Sequence, residues 1–447
     1  MKKFHHMGKV THNYSESIKL SKLANKYIPG GAHTYSKGDD QFPANAPKLI
    51  DRGHGCKLWD VDGNEYIDMA MSLGTTVLGH AYEPVLDAVR YELDRGVNFC
   101  RPSVIEGKLA ELLSSLIPSA EMVKLGKHGS DAVTGAIKLA RAYTGRKYVA
   151  RCADDAFNAI HDWFIGSTVV NRGVPEEVQR LTLQFKYNDI ESCERLFDEY
   201  PGQIACFNLE PVSFIPPKDN FLEKLKALCE KNGSLLIFDE VVSGFRFSIG
   251  GAQEMVGVTP HLSAFGKAMA NGFSVSALVG QKEFMKLGGI NHDQERVFLL
   301  STTHGGETHS IAASIACINE IIKQDAIAHF WKTGQALMDG IKSASVELGA
   351  EKYINISGYG VKPAFSFNDE SGNISLVART LFLQETIARG VLMPYVVPSF
   401  AHKQEDIDFV VEVVKDALKV MKEAAEGKGM ASAIVGDAVK PVFRKFN

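Results

Sequence analysis

Between residues 83 and 325, short apolar runs alternate with longer amphipathic ones, and few architectures accept that alternation. The short runs fall at 122–125, 148–151, 204–209, 234–238, 262–265 and 277–280. The spacing of apolar residues around them predicts helices over 83–95, 106–116, 131–143, 189–199, 221–232 and 311–323. Strands this short and this largely apolar need cover on both faces, which the helices supply. The expected fold class is therefore α/β, with a mainly parallel sheet. Upstream, a helix over 16–27 ends at Pro29-Gly30-Gly31, and alternating runs at 57–60 and 65–68 joined by Asp62-Gly63 read as a hairpin. Downstream, helices over 326–348, 375–389 and 404–426 with a strand at 364–367 read as a small α+β domain. The expected division is an N-terminal segment (1–75), a large domain (76–325) and a small C-terminal domain (326–447). Its tail from Gly427 is expected as an extended or partly loose arm.

Composition removes several classes. A formal net charge of −4 does not provide the basic surface of a nucleic-acid binder. No apolar run approaches the roughly 20 residues of a membrane span. Residues 1–14 are polar and rich in His and Lys, unlike a secretory leader, so a cytoplasmic protein is expected. Seven cysteines without a C-x-x-C pair fit reduced thiols better than a disulfide frame or a zinc site. In Asp60-Val-Asp62-Gly63-Asn64-Glu65 the glycine comes two places too early for a calcium loop, and no metal is expected.

Chemistry concentrates where the apolar runs stop. Leu235-Leu-Ile-Phe-Asp239-Glu240 ends in two acids, and the carboxyl ends of parallel strands line the ligand crevice of an open sheet. Read alone, Asp239 can equally cap the next turn. Leu262-Ser-Ala-Phe265-Gly266-Lys267 ends in glycine and lysine, and a single lysine after a strand is ordinarily a solvated surface residue. If the two strands are neighbours, the amine and the carboxylate, 28 residues apart in sequence, meet in one cleft. A desolvated lysine there can form an imine with an aldehyde, and a carboxylate can pair with a pyridinium nitrogen. His128-Gly129-Ser130-Asp131 opens a helix after a strand, where backbone amides and the positive end of the helix dipole attract a phosphate. An ordinary Ser/Asp N-cap is the alternative.

These residues occur with Pro29-Gly-Gly, Leu58-Trp-Asp-Val-Asp-Gly63, Glu210-Pro-Val, Phe238-Asp-Glu-Val-Val-Ser-Gly-Phe-Arg246 and Gly257-Val-Thr-Pro260. Together they resemble the class III aminotransferases dependent on pyridoxal 5′-phosphate (PLP), in the branch similar to glutamate-1-semialdehyde aminomutase. The resemblance implies PLP-dependent transferase fold type I, a large domain with a mainly parallel sheet plus a small α+β C-terminal domain. It implies Lys267 as the residue that carries the cofactor and moves the proton, with Asp239 as the pyridinium partner. Val241 would cover one ring face, Gly129, Ser130 and Asp131 would hold the phosphate, and Glu210 would neighbour the cofactor. Thr303, in Ser301-Thr-Thr-His-Gly305, matches a threonine that reaches the phosphate of the neighbouring subunit, which implies a homodimer. The family's Tyr-His-Gly is replaced by Phe157-Asn158-Ala159, and Phe157 keeps a π face for stacking.

Departures from the aminomutase pattern shape the expected substrate. An arginine shortly after Pro-Gly-Gly is replaced by Lys37, which cannot copy a planar bidentate fork. The acid before the C-terminal Ala-His is absent from Met393-Pro-Tyr-Val-Val-Pro-Ser-Phe-Ala-His402. The candidate substrate contacts are Tyr35, Lys37, Asn158, His161 and Tyr395, a set suited to a hydroxyl-rich acceptor, although each taken singly can be structural. Ile160-His161-Asp162-Trp163 with Asn171-Arg172-Gly-Val-Pro175 looks like relatives associated with cell-envelope sugars. The expected reaction moves an amino group from an amino-acid donor, L-glutamate by resemblance, to a keto-sugar or sugar acid. The type yielding 8-amino-3,8-dideoxy-manno-octulosonate, a lipopolysaccharide sugar, stands first. The alternatives are a glutamate-1-semialdehyde aminomutase and a catalytically inert PLP-fold binding subunit, which intact Lys267 and Asp239 argue against.

Overall fold

The computed structural model describes residues 12–446; most of the polar stretch 1–14 lies outside the described residues, as does Asn447. The chain packs as two compact units, one of residues 83–327 with 443–446, the other of residues 12–82 with 328–442.

Seven strands of the first unit share one sheet: β1 (Met122–Gly126), β2 (Tyr148–Cys152), β3 (Thr182–Phe185), β4 (Ile204–Leu209), β5 (Leu235–Asp239), β6 (Leu262–Phe265) and β7 (Ser276–Gly280). Their order is β1-β7-β6-β5-β4-β2-β3. From β3 to β6 every pairing is parallel, whereas β7 runs antiparallel to both β6 and β1. The three central strands β4, β5 and β6 are buried throughout. Alternation along β5 sends Ile237 to one face, beside Ala136, Ile137 and Ala140 of helix α1 (Gly129–Thr144). Leu236 and Phe238 go to the other face, beside Leu222 and Leu225. Each such side chain contributes roughly 1.5–3 kcal/mol by leaving water. Strand β3 is not among the strands expected from sequence. It is an edge strand whose Gln184 faces solvent, so half of its apolar signal is missing.

The second unit brings distant parts of the chain into one core. Glu65–Asp68 pairs antiparallel with Lys57–Asp60, and on its other side it pairs parallel with Val391–Leu392. The N-terminal segment, expected as a separate piece, therefore packs with C-terminal elements: Tyr66, Ile67 and Met69 share a cluster with Leu381, Phe382, Val410 and Val414. Asp60 Oδ1 accepts the backbone N–H groups of Asp62 and Asn64 and so closes the hairpin turn. Part of the tail is held as an arm, with Val435 N–H donating to Gln384 and Val439 N–H to Thr380. Among the described residues, no helix is long and apolar enough to cross a membrane. Among the same residues, no group of His, Cys, Asp and Glu is arranged to hold a metal ion. The cysteines are free, and all but Cys100 are buried.

Candidate active site at the carboxyl ends of the central strands

Parallel pairing of β5 with β6 sets Asp239 opposite Ala264, so Lys267, three residues further on, leaves the sheet at the same edge. Lys267 has φ +38°, in the left-handed region that a side-chain-bearing residue enters at a cost on the order of 1–3 kcal/mol. The charge of Lys267 acts on Asp239 and favours its ionised form.

Asp239 is only 3% exposed. Its Oδ1 accepts the N–H of Val241 at 3.1 Å, and its Oδ2 accepts Nδ2 of Asn158 at 3.1 Å. Burial, then the charge of Glu210, push this carboxyl up to about 7, against the pull of Asn158, Val241 and Lys267. A buried anion in this position favours a cationic partner, which a protonated pyridine nitrogen would supply.

The raised carboxyl has a consequence for stability without cofactor. Its folded pKa lies above its ordinary 3.8, so its favourable contribution is complete below about pH 3.8 and is lost as pH rises through about 7. Above that range the penalty is roughly 4 kcal/mol. Thermal melts of the apoprotein are expected to drop by several degrees more for wild type than for Asp239→Asn between about pH 5.5 and 8.5. Equal drops would contradict the burial of this charge.

Two further acids stand at the ends of the next strands. Glu210 follows β4 directly, and its N–H donates to Asp155 Oδ2 at 3.0 Å. Asp155 comes shortly after β2, is buried, and has Asn158 Nδ2 at 3.4 Å from the same oxygen. Burial and then the charge of Glu210 push the Asp155 carboxyl well above the usual range. Asp155 is absent from the residues picked out by sequence, although the strand-end rule that singled out Asp239 applies to it equally.

At the start of α1, Asp131 Oδ2 accepts the N–H groups of Lys127 at 3.0 Å and His128 at 2.9 Å. Asp131 thus caps the helix entry instead of facing an anion, which its own charge would repel. Ser130 Oγ accepts the N–H of Ile160 at 3.1 Å and keeps its O–H to donate. A Cβ on Gly129 would lie 2.7 Å from both methyl carbons of Val241, so only glycine fits this turn against that side chain. Gly129→Ala is expected to destabilise the protein by about 1–3 kcal/mol, with Val241→Ala in the same chain restoring most of the loss. Denaturant titration of the three variants would show this, and additive losses would contradict it.

The remaining candidates scatter. Phe157 is 42% exposed and meets Phe164 edge to face at 5.5 Å between centroids. Thr303 is exposed, and its carbonyl accepts Asn98 Nδ2. His161 Nδ1 pairs with Thr134 Oγ1 at 2.9 Å, and the same hydroxyl accepts Trp163 Nε1, so this motif is engaged in its own packing. Asn158, expected to face substrate, donates inward to Asp239. Lys37 and Tyr395 line a cavity of about 380 Å³ in the second unit, with Lys48, Asp68, Ser72 and Leu73. Tyr35 is 77% exposed and does not line it, nor do Asp239 and Lys267. Positive φ at three successive residues, Met71, Ser72 and Leu73, shapes one wall. Strain of this kind tends to persist at ligand sites.

Comparison with known proteins gives a consistent picture. Residues 39–418 match the model of the family described as aminotransferase class-III. A glutamate-1-semialdehyde 2,1-aminomutase from Syntrophobacter fumaroxidans is 32% identical over 428 residues, covering 90% of this chain and 96% of the relative. A 3-aminobutyryl-CoA aminotransferase from Cloacimonas acidaminovorans is 33% identical over 428 residues, covering 92% and 98%. The solved PLP internal aldimine form of FumI from Sphingopyxis sp. MTA144 superposes with a TM-score of 0.83 at 25% identity, covering 92% of this chain and 97% of that one. The shared architecture is PLP-dependent transferase fold type I.

Proposed function

Because this chain belongs to the class III aminotransferases, enzymes that use pyridoxal 5′-phosphate, we propose that Lys267 and Asp239 grip that cofactor while an amino group passes from L-glutamate to a keto-sugar or sugar acid. The observation that carries the reading is the buried Asp239 carboxylate beside Lys267 at the ends of adjacent parallel strands. When bound, PLP supplies an aldehyde carbon and an electron-accepting ring. Lys267 Nζ removes the donor's α-proton and later returns a proton to the acceptor carbon. Asp239 holds positive charge at the ring nitrogen, and Glu210 deepens the negative potential there. The N–H groups opening α1 and the Ser130 hydroxyl bind the phosphate. Val241 and Phe157 cover the ring faces, and Thr303 serves the site of a second copy in a homodimer.

The sugar acceptor is supported by chemistry rather than by any relative's name. Ser36, Asp39, Lys48, Asp68 and Ser72 surround the cavity that Lys37 and Tyr395 line, and such a wall suits several hydroxyls. The aminomutase reading is favoured by the Syntrophobacter relative's name and opposed by Lys37 standing where an arginine fork would be needed. Incubation with L-glutamate and a panel of keto-sugars, including the octulosonate type, is expected to release 2-oxoglutarate in step with amino-sugar formation. Turnover of glutamate 1-semialdehyde as the sole substrate would overturn the proposal.

A further inference from the structure

We propose that Asp155 is a positioning residue: it orients the Asn158 amide so that Asp239 stays aimed at the cofactor's ring nitrogen. This rests on the reading of Asp239 given above and adds the device that keeps its carboxylate in place. An amide side chain has a donor end and an acceptor end, and exchanging them reverses its effect on a neighbour. Asn158 is 3% exposed, and its Nδ2 sits between Asp239 Oδ2 at 3.1 Å and Asp155 Oδ2 at 3.4 Å. Its Oδ1 is buried without a hydrogen-bond partner. With a single carboxylate to serve, the amide's donor end would be held by one hydrogen bond and its plane left free to rotate about it. With two, turning would set the oxygen against two acids at once.

Asp155 is itself fixed by a main-chain donor, the N–H of Glu210 at the end of β4, so its position does not depend on another mobile side chain. The result is a relay from the sheet backbone through Asp155 and Asn158 to Asp239. Asp239 Oδ1 is separately held by the N–H of Val241. Without Asp155 the Asp239 carboxylate keeps one fixed contact and loses the constraint on the other. The effect belongs at the ring nitrogen and nowhere else on the cofactor.

That locality defines the test. Affinity of the apoprotein is measured for PLP and for its 1-deaza analogue, in which carbon replaces the ring nitrogen. Wild type is expected to prefer PLP, and Asp155→Ala to narrow that preference about tenfold, the scale of one hydrogen bond to a charged group. Asp155→Asn keeps an acceptor oxygen for both N–H donors and is expected to restore most of the preference. Asn158→Ala, with Asp155 intact, is expected to narrow it as Asp155→Ala does, and serves if the latter fails to fold. Equal weakening of both ligands, no change in either, or Asp155→Asn behaving like Asp155→Ala would overturn the positioning role. Asp239→Ala separates the two levels. If it removes the preference while the Asp155 and Asn158 variants do not, only the relay falls. If it leaves the preference intact, the reading of Asp239 fails and the relay with it.

Discussion

Replacing Lys267 with alanine is expected to lower kcat by about 10⁴-fold or more while leaving the fold in place. General acid–base transfer by a positioned group is worth on the order of 10²–10⁴, and this amine is also the proposed anchor of the cofactor. Its φ of +38° is a strained conformation of the kind found at functional sites. Alanine accepts the same conformation at a similar cost, so circular dichroism and melting temperature are expected to change little. Added ethylamine is expected to recover part of the lost rate, because a free amine can accept the proton without being tethered. A variant that keeps more than roughly a hundredth of wild-type kcat would contradict the role.

Asp239→Asn is expected to lower kcat/KM by about 10²–10³-fold, with most of the loss in kcat. Asparagine matches the shape and can still accept the Val241 N–H, but it removes the charge that favours a protonated ring. The same substitution removes a buried carboxylate from the apoprotein, where nothing else balances it fully. Activity and apoprotein stability should therefore move in opposite directions above about pH 7, a signature that simple misfolding cannot imitate. Loss of both together would show that Asp239 supports structure instead.

The fold was legible wherever the sequence pattern is local. Largely apolar runs at 204–209 and 262–265 reappear with the same bounds as β4 and β6, and the helices Ala326–Leu348 and Gln404–Glu426 have the expected bounds. Long-range pairing was not legible. Nothing near Glu65–Asp68 announces Val391–Leu392 as its parallel neighbour, so the N-terminal segment appeared independent. At the site, Asp239 and Lys267 stood out in the sequence because each closes or closely follows a largely apolar run. Asp155 meets the same strand-end rule three residues past β2, but its burial and its partners Glu210 and Asn158 exist only in the folded chain. Asp131 illustrates the opposite case. Its sequence position suits both a phosphate neighbour and a helix cap, and only the two backbone N–H groups on its carboxylate distinguish them.

Borohydride reduction of the PLP-loaded protein, followed by peptide mapping, bears most directly on the pairing of amine and carboxylate around one cofactor. The stable pyridoxyl mass is expected on the peptide that contains Lys267, and on no other lysine. Its appearance elsewhere, or its absence from a protein that still turns over substrate, would contradict the assignment.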